Sequence, residues 1–144
     1  MKQESRKTRG YHSSSEEETL RLARQLAESF QGDEVVLLIG ELGAGKTVFA
    51  KGLAAGLGLG DVVQVCSPSY TLLNIYQAKV LIFHFDLYRL DKPADIEALG
   101  LEDYLDRGVV IVEWAEKLRF PLKAIRVEIS AGPGSERTIR ITQS

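Results

Sequence analysis

The chain has 144 residues, 26% of them charged and 44% hydrophobic, with a formal net charge of −2. That is the make-up of one globular domain with room for a core, and the near-neutral balance gives no basic field for direct nucleic-acid binding. The single cysteine, Cys66, excludes an internal disulfide and is read as a small apolar residue, since no local Cys/His arrangement makes it a nucleophile.

No run approaches the roughly 18 apolar residues of a membrane span. Met1-Lys2-Gln3-Glu4-Ser5-Arg6-Lys7 lacks the apolar stretch of a signal peptide, so the expected location is cytoplasmic. Residues 1–12, with Lys2, Arg6, Lys7 and Arg9, offer charge and little to pack. They are expected to form a solvated tail, leaving 13–144 as a single folded domain.

Serines 13–15 followed by Glu16-Glu17-Glu18 read as a helix start, with acids favourable in the first turn. Leu20, Leu22, Ala23, Leu26, Ala27 and Phe30 then form one apolar helical face, which Gln31-Gly32-Asp33 ends. Val35 to Ile39 is a short apolar run that suits a buried strand, and Thr47 to Leu57 reads as a helix. Between them, Gly40-Glu41-Leu42-Gly43-Ala44-Gly45-Lys46-Thr47 spells G-x-x-x-x-G-K-T, the phosphate-cradling P-loop, in the strand–loop–helix order that the motif requires. Its glycines let successive N–H groups turn inward around a phosphate, and the helix N-terminus adds unpaired donors and its dipole. Lys46 would neutralise the β- and γ-phosphates, and the Thr47 hydroxyl would hold Mg²⁺. A chance glycine turn is the competing reading, and the flanking strand and helix weigh against it.

Further on, Ser67-Pro68-Ser69-Tyr70-Thr71 reads as a loop close to the phosphates. Leu72 to Tyr76 and Lys79 to Phe85 predict a hairpin turning near Gln77-Ala78. Pro93 is expected to open a helix running to about Asp106 and closed by Gly108. Val109 to Val112 is another buried strand, and the alternation of Ile125, Val127 and Ile129, then Ile139 and Ile141, predicts an antiparallel C-terminal hairpin. The fold expected is α/β: a P-loop NTPase fold with a mixed central sheet flanked by helices and its site at the carboxyl ends of strands.

A P-loop needs a further acid for its metal, usually at the end of an apolar strand. Two strands here end that way, in Asp86 and in Glu113. If both run parallel to the P-loop strand, both acids face the phosphates; which of them positions the attacking water stays open. For either acid alone, a cap or ion-pair role is as good a reading, and the P-loop tips the balance towards function. Arg89 is read as a salt-bridge residue before an arginine finger, and His84 as packed before catalytic. Tyr70 and Trp114 flank the site segments, where core packing competes with stacking on a base. The acidic stretch Asp95, Glu97, Glu102, Asp103 and Asp106 is read as a solvated face before a docking face. No N-K-x-D-like guanine-reading segment appears, which favours adenine, and no arginine-rich lid of the kinase type is evident.

Taken with the P-loop, Ser67-Pro68-Ser69-Tyr70-Thr71-Leu72, His84-Phe85-Asp86-Leu87-Tyr88-Arg89-Leu90 and Val112-Glu113-Trp114 resemble the bacterial TsaE (YjeE) family from roughly Glu16 to the C-terminal hairpin. The resemblance implies a small Mg²⁺-dependent ATPase serving synthesis of threonylcarbamoyladenosine in tRNA. It would bind a complex of the TsaD and TsaB proteins, reset it by ATP hydrolysis without transferring the threonylcarbamoyl group, and meet tRNA only through that complex. By matching positions, Leu42, Gly43, Ala44, Gly45, Lys46 and Thr47 would cradle ATP, with Val48 adding a backbone contact. Lys46, Asp86 and Glu113 would carry the chemistry, with Thr47 and Glu113 as Mg²⁺ ligands and Asp86 as the Walker-B-like acid. Ser67 to Thr71 would be a switch-like loop sensing the γ-phosphate, and Arg137 and the helix start near Glu16 would lie by the adenine. A P-loop small-molecule kinase and a nucleotide-gated binding module are the competing functions.

Overall fold

A computed structural model describes residues 7–118 and 122–143. Among these, seven strands form one sheet in the order β1-β7-β6-β2-β5-β4-β3. The strands are β1 (Lys7–Ser13), β2 (Val35–Ile39), β3 (Leu73–Gln77), β4 (Leu81–Asp86), β5 (Val109–Glu113), β6 (Ile125–Ala131) and β7 (Arg137–Gln143). The sheet is mixed, as expected. The P-loop strand β2 lies in its middle, parallel to β5 and β6, and β4 is parallel to β5 in turn. The hairpins β3–β4 and β6–β7 are antiparallel.

Strand alternation divides the core in two. Val36 and Leu38 of β2 pack with Ile82, Ile111, Val127 and Ile139 beneath helices α1 (Glu16–Glu28) and α2 (Lys46–Gly56). Val35, Phe83, Phe85, Val110 and Val112 fill the opposite face with Ile96 of the short helix α3 (Pro93–Ala98). Helix α1 starts where the serines place it: the Ser15 hydroxyl accepts the Glu18 N–H at 3.1 Å, and the Glu18 carboxylate accepts the Ser14 N–H at 3.0 Å. The small residues Ala23 and Ala27 of α1 meet Gly52 and Gly56 of α2, so the two helices approach closely over the sheet.

Three expectations need correction. Residues 7–12 are not a tail: with Ser13 they form β1, paired antiparallel to β7 from Lys7↔Gln143 to Ser13↔Arg137. This strand is held by its main-chain ladder and is mostly exposed, so side-chain patterning carried no sign of it. Residues 1–6 lie outside the described residues. The helix expected from Pro93 to Asp106 stops at Ala98, because Gly100 turns left-handed at φ 66° and turns the chain into a 3-10 turn at Leu101–Tyr104. That break brings Leu101 into the second core beside Ile96 and splits the acidic stretch between two elements. Cys66 is exposed on the loop before Ser67 instead of filling an apolar gap, because its neighbour Val65 takes the inward position.

Candidate nucleotide site

The parallel run β2, β5, β4 brings three carboxyl-terminal strand ends to one edge of the sheet, the edge where α/β folds bind ligands. A cleft of about 420 Å³ opens there, within the size range of small-molecule sites. The loop between β2 and α2 forms one wall. Gly43 and Gly45 take φ values of 81° and 110°, which side chains strongly disfavour, and Gly45 starts α2 with no side-chain cap. The first N–H groups of α2 are therefore left for a ligand at the loop. Lys46 is 5% exposed, and its ammonium donates to the carbonyls of Gly40 at 2.5 Å and Glu41 at 2.9 Å. It also lies 4.1 Å from the centre of the Trp114 ring. Burial pushes the Lys46 ammonium below its ordinary pKa, and the carboxylates of Glu113, Glu116 and Asp86 offset part of that shift.

Period-two alternation puts Asp86 and Glu113 on the sheet face that carries α2, and the parallel register sets them side by side. Both are buried. One oxygen of Asp86 accepts from the hydroxyls of Ser67 and, at 3.2 Å, Ser69; the other accepts the Tyr88 N–H at 2.8 Å. The Glu113 carboxylate accepts the Thr47 hydroxyl at 3.2 Å and lies 2.6 Å from Nε2 of His84. The side chains that this group brings to the cleft are those of Thr47, Glu113, Asp86 and the loop serines, all with oxygen donors, the hard set that suits Mg²⁺. Among the described residues no group of three or more His, Cys, Asp or Glu side chains could hold a metal alone. A set of few oxygen donors suits an ion such as Mg²⁺, which takes few protein ligands and keeps several waters.

Leu42, Gly43, Gly45, Lys46, Thr47, Val48, Asp86, Glu113 and Arg137 all line the cleft. Ala44 does not; it is buried, and its carbonyl accepts Nε–H of Arg137 at 2.8 Å. Arg137 also donates to the Gly43 carbonyl at 3.2 Å, so its guanidinium holds the back of the glycine loop. Ser67 and Ser69 reach the cleft, as does Trp114. Arg89 and Tyr70 instead pair with each other, with the guanidinium 4.0 Å from the exposed ring. His84 is fully buried, as expected, but its contact with Glu113 was not foreseen.

Thr19, Tyr88 and Ser135 also line the cleft. Tyr88 belongs to the 84–90 block already singled out, and Thr19 left a signal as a polar residue among the inward positions of α1, where it is bonded to the buried Ser13. Ser135 comes from the far hairpin, and only the tertiary fold brings it near.

A family model described as threonylcarbamoyl adenosine biosynthesis protein TsaE matches residues 13–139. The chain belongs to the TsaE family. It is 39% identical over 117 residues to the tRNA threonylcarbamoyladenosine biosynthesis protein TsaE of Rickettsia conorii, covering 81% of this chain and 66% of that protein, just under two thirds of its length. The Bacillus subtilis TsaE is 38% identical over 130 residues, covering 88% of this chain and 80% of the relative. The crystal structure of Bacillus subtilis YdiB superposes with a TM-score of 0.78 at 31% identity, covering 98% of this chain and 88% of that one. This TsaE-family protein thus has a role in tRNA threonylcarbamoyladenosine biosynthesis. Among its described residues no helix is long and apolar enough to cross a membrane.

Proposed function

We propose that this TsaE-family protein is a Mg²⁺-dependent ATPase of the cytoplasm that supports tRNA threonylcarbamoyladenosine modification by acting on a TsaD–TsaB complex. The observation that carries this reading is the convergence of Thr47, Asp86 and Glu113 beside a positive-φ glycine loop. In this reading the loop N–H groups and Lys46 hold the triphosphate, with Leu42 and Val48 along its path and Arg137 keeping the loop in shape. Thr47 and Glu113 hold Mg²⁺, which when bound neutralises charge on the phosphate oxygens. Asp86, held by Ser67, Ser69 and the Tyr88 N–H, ties the 67–71 loop to the phosphate end of the site. Positioning and charge neutralisation supply most of the rate in such reactions, so neither acid needs to be a strong base.

The test is phosphate release from ATP by the purified protein, alone and with TsaD–TsaB. Hydrolysis without an acceptor, accelerated by the complex, is the expected result. Glu113→Ala should keep nucleotide binding and lose most hydrolysis. A phosphorylated product in a metabolite screen would point to a kinase instead. Tests in which Glu113→Ala still sustained the tRNA modification would leave a binding module whose hydrolysis is incidental.

A further inference from the structure

His84 is a polar side chain with no exposure at all, one pleat behind the acids. On β4 it shares a face with Asp86, while Phe83 and Phe85 turn into the opposite core. Its register partner on β5 is Ile111, two residues before Glu113, so its ring reaches diagonally to the acid. Nε2 lies 2.6 Å from Oε2 of Glu113, and Nδ1 is buried without a hydrogen-bond partner among the described residues.

These two observations fix the direction of the bond. An ionised carboxylate only accepts, so Nε2 carries the hydrogen. A hydrogen carried on Nδ1 in its place would be a buried donor with no acceptor, which is rarer and costlier than an unused lone pair. The ring therefore donates through Nε2. The terminal torsion of a glutamate is soft, and the hydrogen bonds that restrain this one come from His84 and Thr47.

We propose that His84 is the positioning residue for Glu113, donating Nε2–H to Oε2 so that the carboxylate stays turned towards the cleft and the Thr47 hydroxyl, which lies 3.2 Å from Oε1 and 3.3 Å from Oε2. This deepens the ATPase reading and rests on it. Partners that orient a metal-site carboxylate in this way are worth about 10–100-fold in affinity or activity.

The experiment compares His84→Leu, which removes the donor, with His84→Gln, which keeps an N–H at nearly the same reach. His84→Leu should lower kcat for ATP hydrolysis about 10–100-fold with KM for ATP little changed, and His84→Gln should recover most of the loss. Nitrogen NMR of the wild-type ring should show a hydrogen on Nε2, with a signature that changes in Glu113→Ala. The proposal is overturned by wild-type kcat in His84→Leu, by a folded His84→Gln as impaired as the leucine variant, or by a ring with no hydrogen on Nε2. Should His84→Leu fail to fold, the glutamine variant and the wild-type spectrum decide. A wild-type protein with no hydrolysis, alone or with TsaD–TsaB, would sink the ATPase reading, while the spectrum would still judge the His84–Glu113 bond.

Discussion

The ammonium of Lys46 and the indole of Trp114 lie face to face, 4.1 Å from nitrogen to ring centre. Trp114 holds this place in a left-handed conformation, φ 59°, directly after Glu113, and its ring also packs 4.9 Å from that of Tyr88. A phosphate drawing Lys46 off the carbonyls of Gly40 and Glu41 would change the field at the indole. Trp114 is the only tryptophan in the chain. Its emission should therefore shift saturably as ATP or ADP is added, and Lys46→Met should abolish most of that shift. A flat titration, with binding confirmed by calorimetry, would refute the coupling.

Lys46 trades stability for binding. Its folded pKa is lowered by burial, so the charge is a cost to the ligand-free fold below that pKa, relieved as pH rises through it. Lys46→Met should thus unfold at or above the wild-type temperature at neutral pH without nucleotide. The same variant should bind nucleotide at least about tenfold more weakly, from the loss of a charge-assisted contact of about 1.5–3 kcal/mol. Calorimetric melting and titration measure both.

The seam between α1 and α2 has no room for a methyl group at Gly52. A Cβ there would sit 2.5 Å from the Leu20 carbonyl oxygen and 2.6 Å from the Ala23 Cβ. Alanine gains about 1 kcal/mol of helix propensity over glycine, but overpacking against main chain costs about 1–3 kcal/mol and spreads the helices. Gly52→Ala should be destabilising by urea titration. Gly60→Ala, with open space around it, should be near neutral.

Glu34 gives the stability a pH signature. Burial raises its carboxyl pKa, and the N–H groups of Gln31, Gly32, Glu34 itself and Asp33 more than reverse this, leaving it below the ordinary carboxylate range. A depressed folded pKa stabilises above the unfolded value and is lost as pH falls through the folded one. Glu34→Gln should cost about 1 kcal/mol at pH 7. Urea titrations should show the difference from wild type closing below about pH 4.

Local chemistry determined much of this protein from the sequence alone. The serine–glutamate cap of α1, the apolar strands at 35–39 and 109–112, and the glycine loop between 40 and 47 each depend on residues within a few positions of one another. Period and spacing therefore expose them. The two acids were legible for the same reason, each closing an apolar run. What the tertiary structure decided were the pairings between distant segments. It made residues 7–13 a strand by offering them the edge of β7, since a main-chain ladder needs a partner and no special side chains. It broke the 93–106 segment at Gly100 because Leu101 had a second core to enter. It set Asp86 beside Glu113, turned Arg137 onto the glycine loop, and placed a buried histidine against the glutamate that the loop's threonine touches. A single strand cannot show which residue its neighbour will set opposite it, and the chemistry of this site lies in those cross-strand contacts.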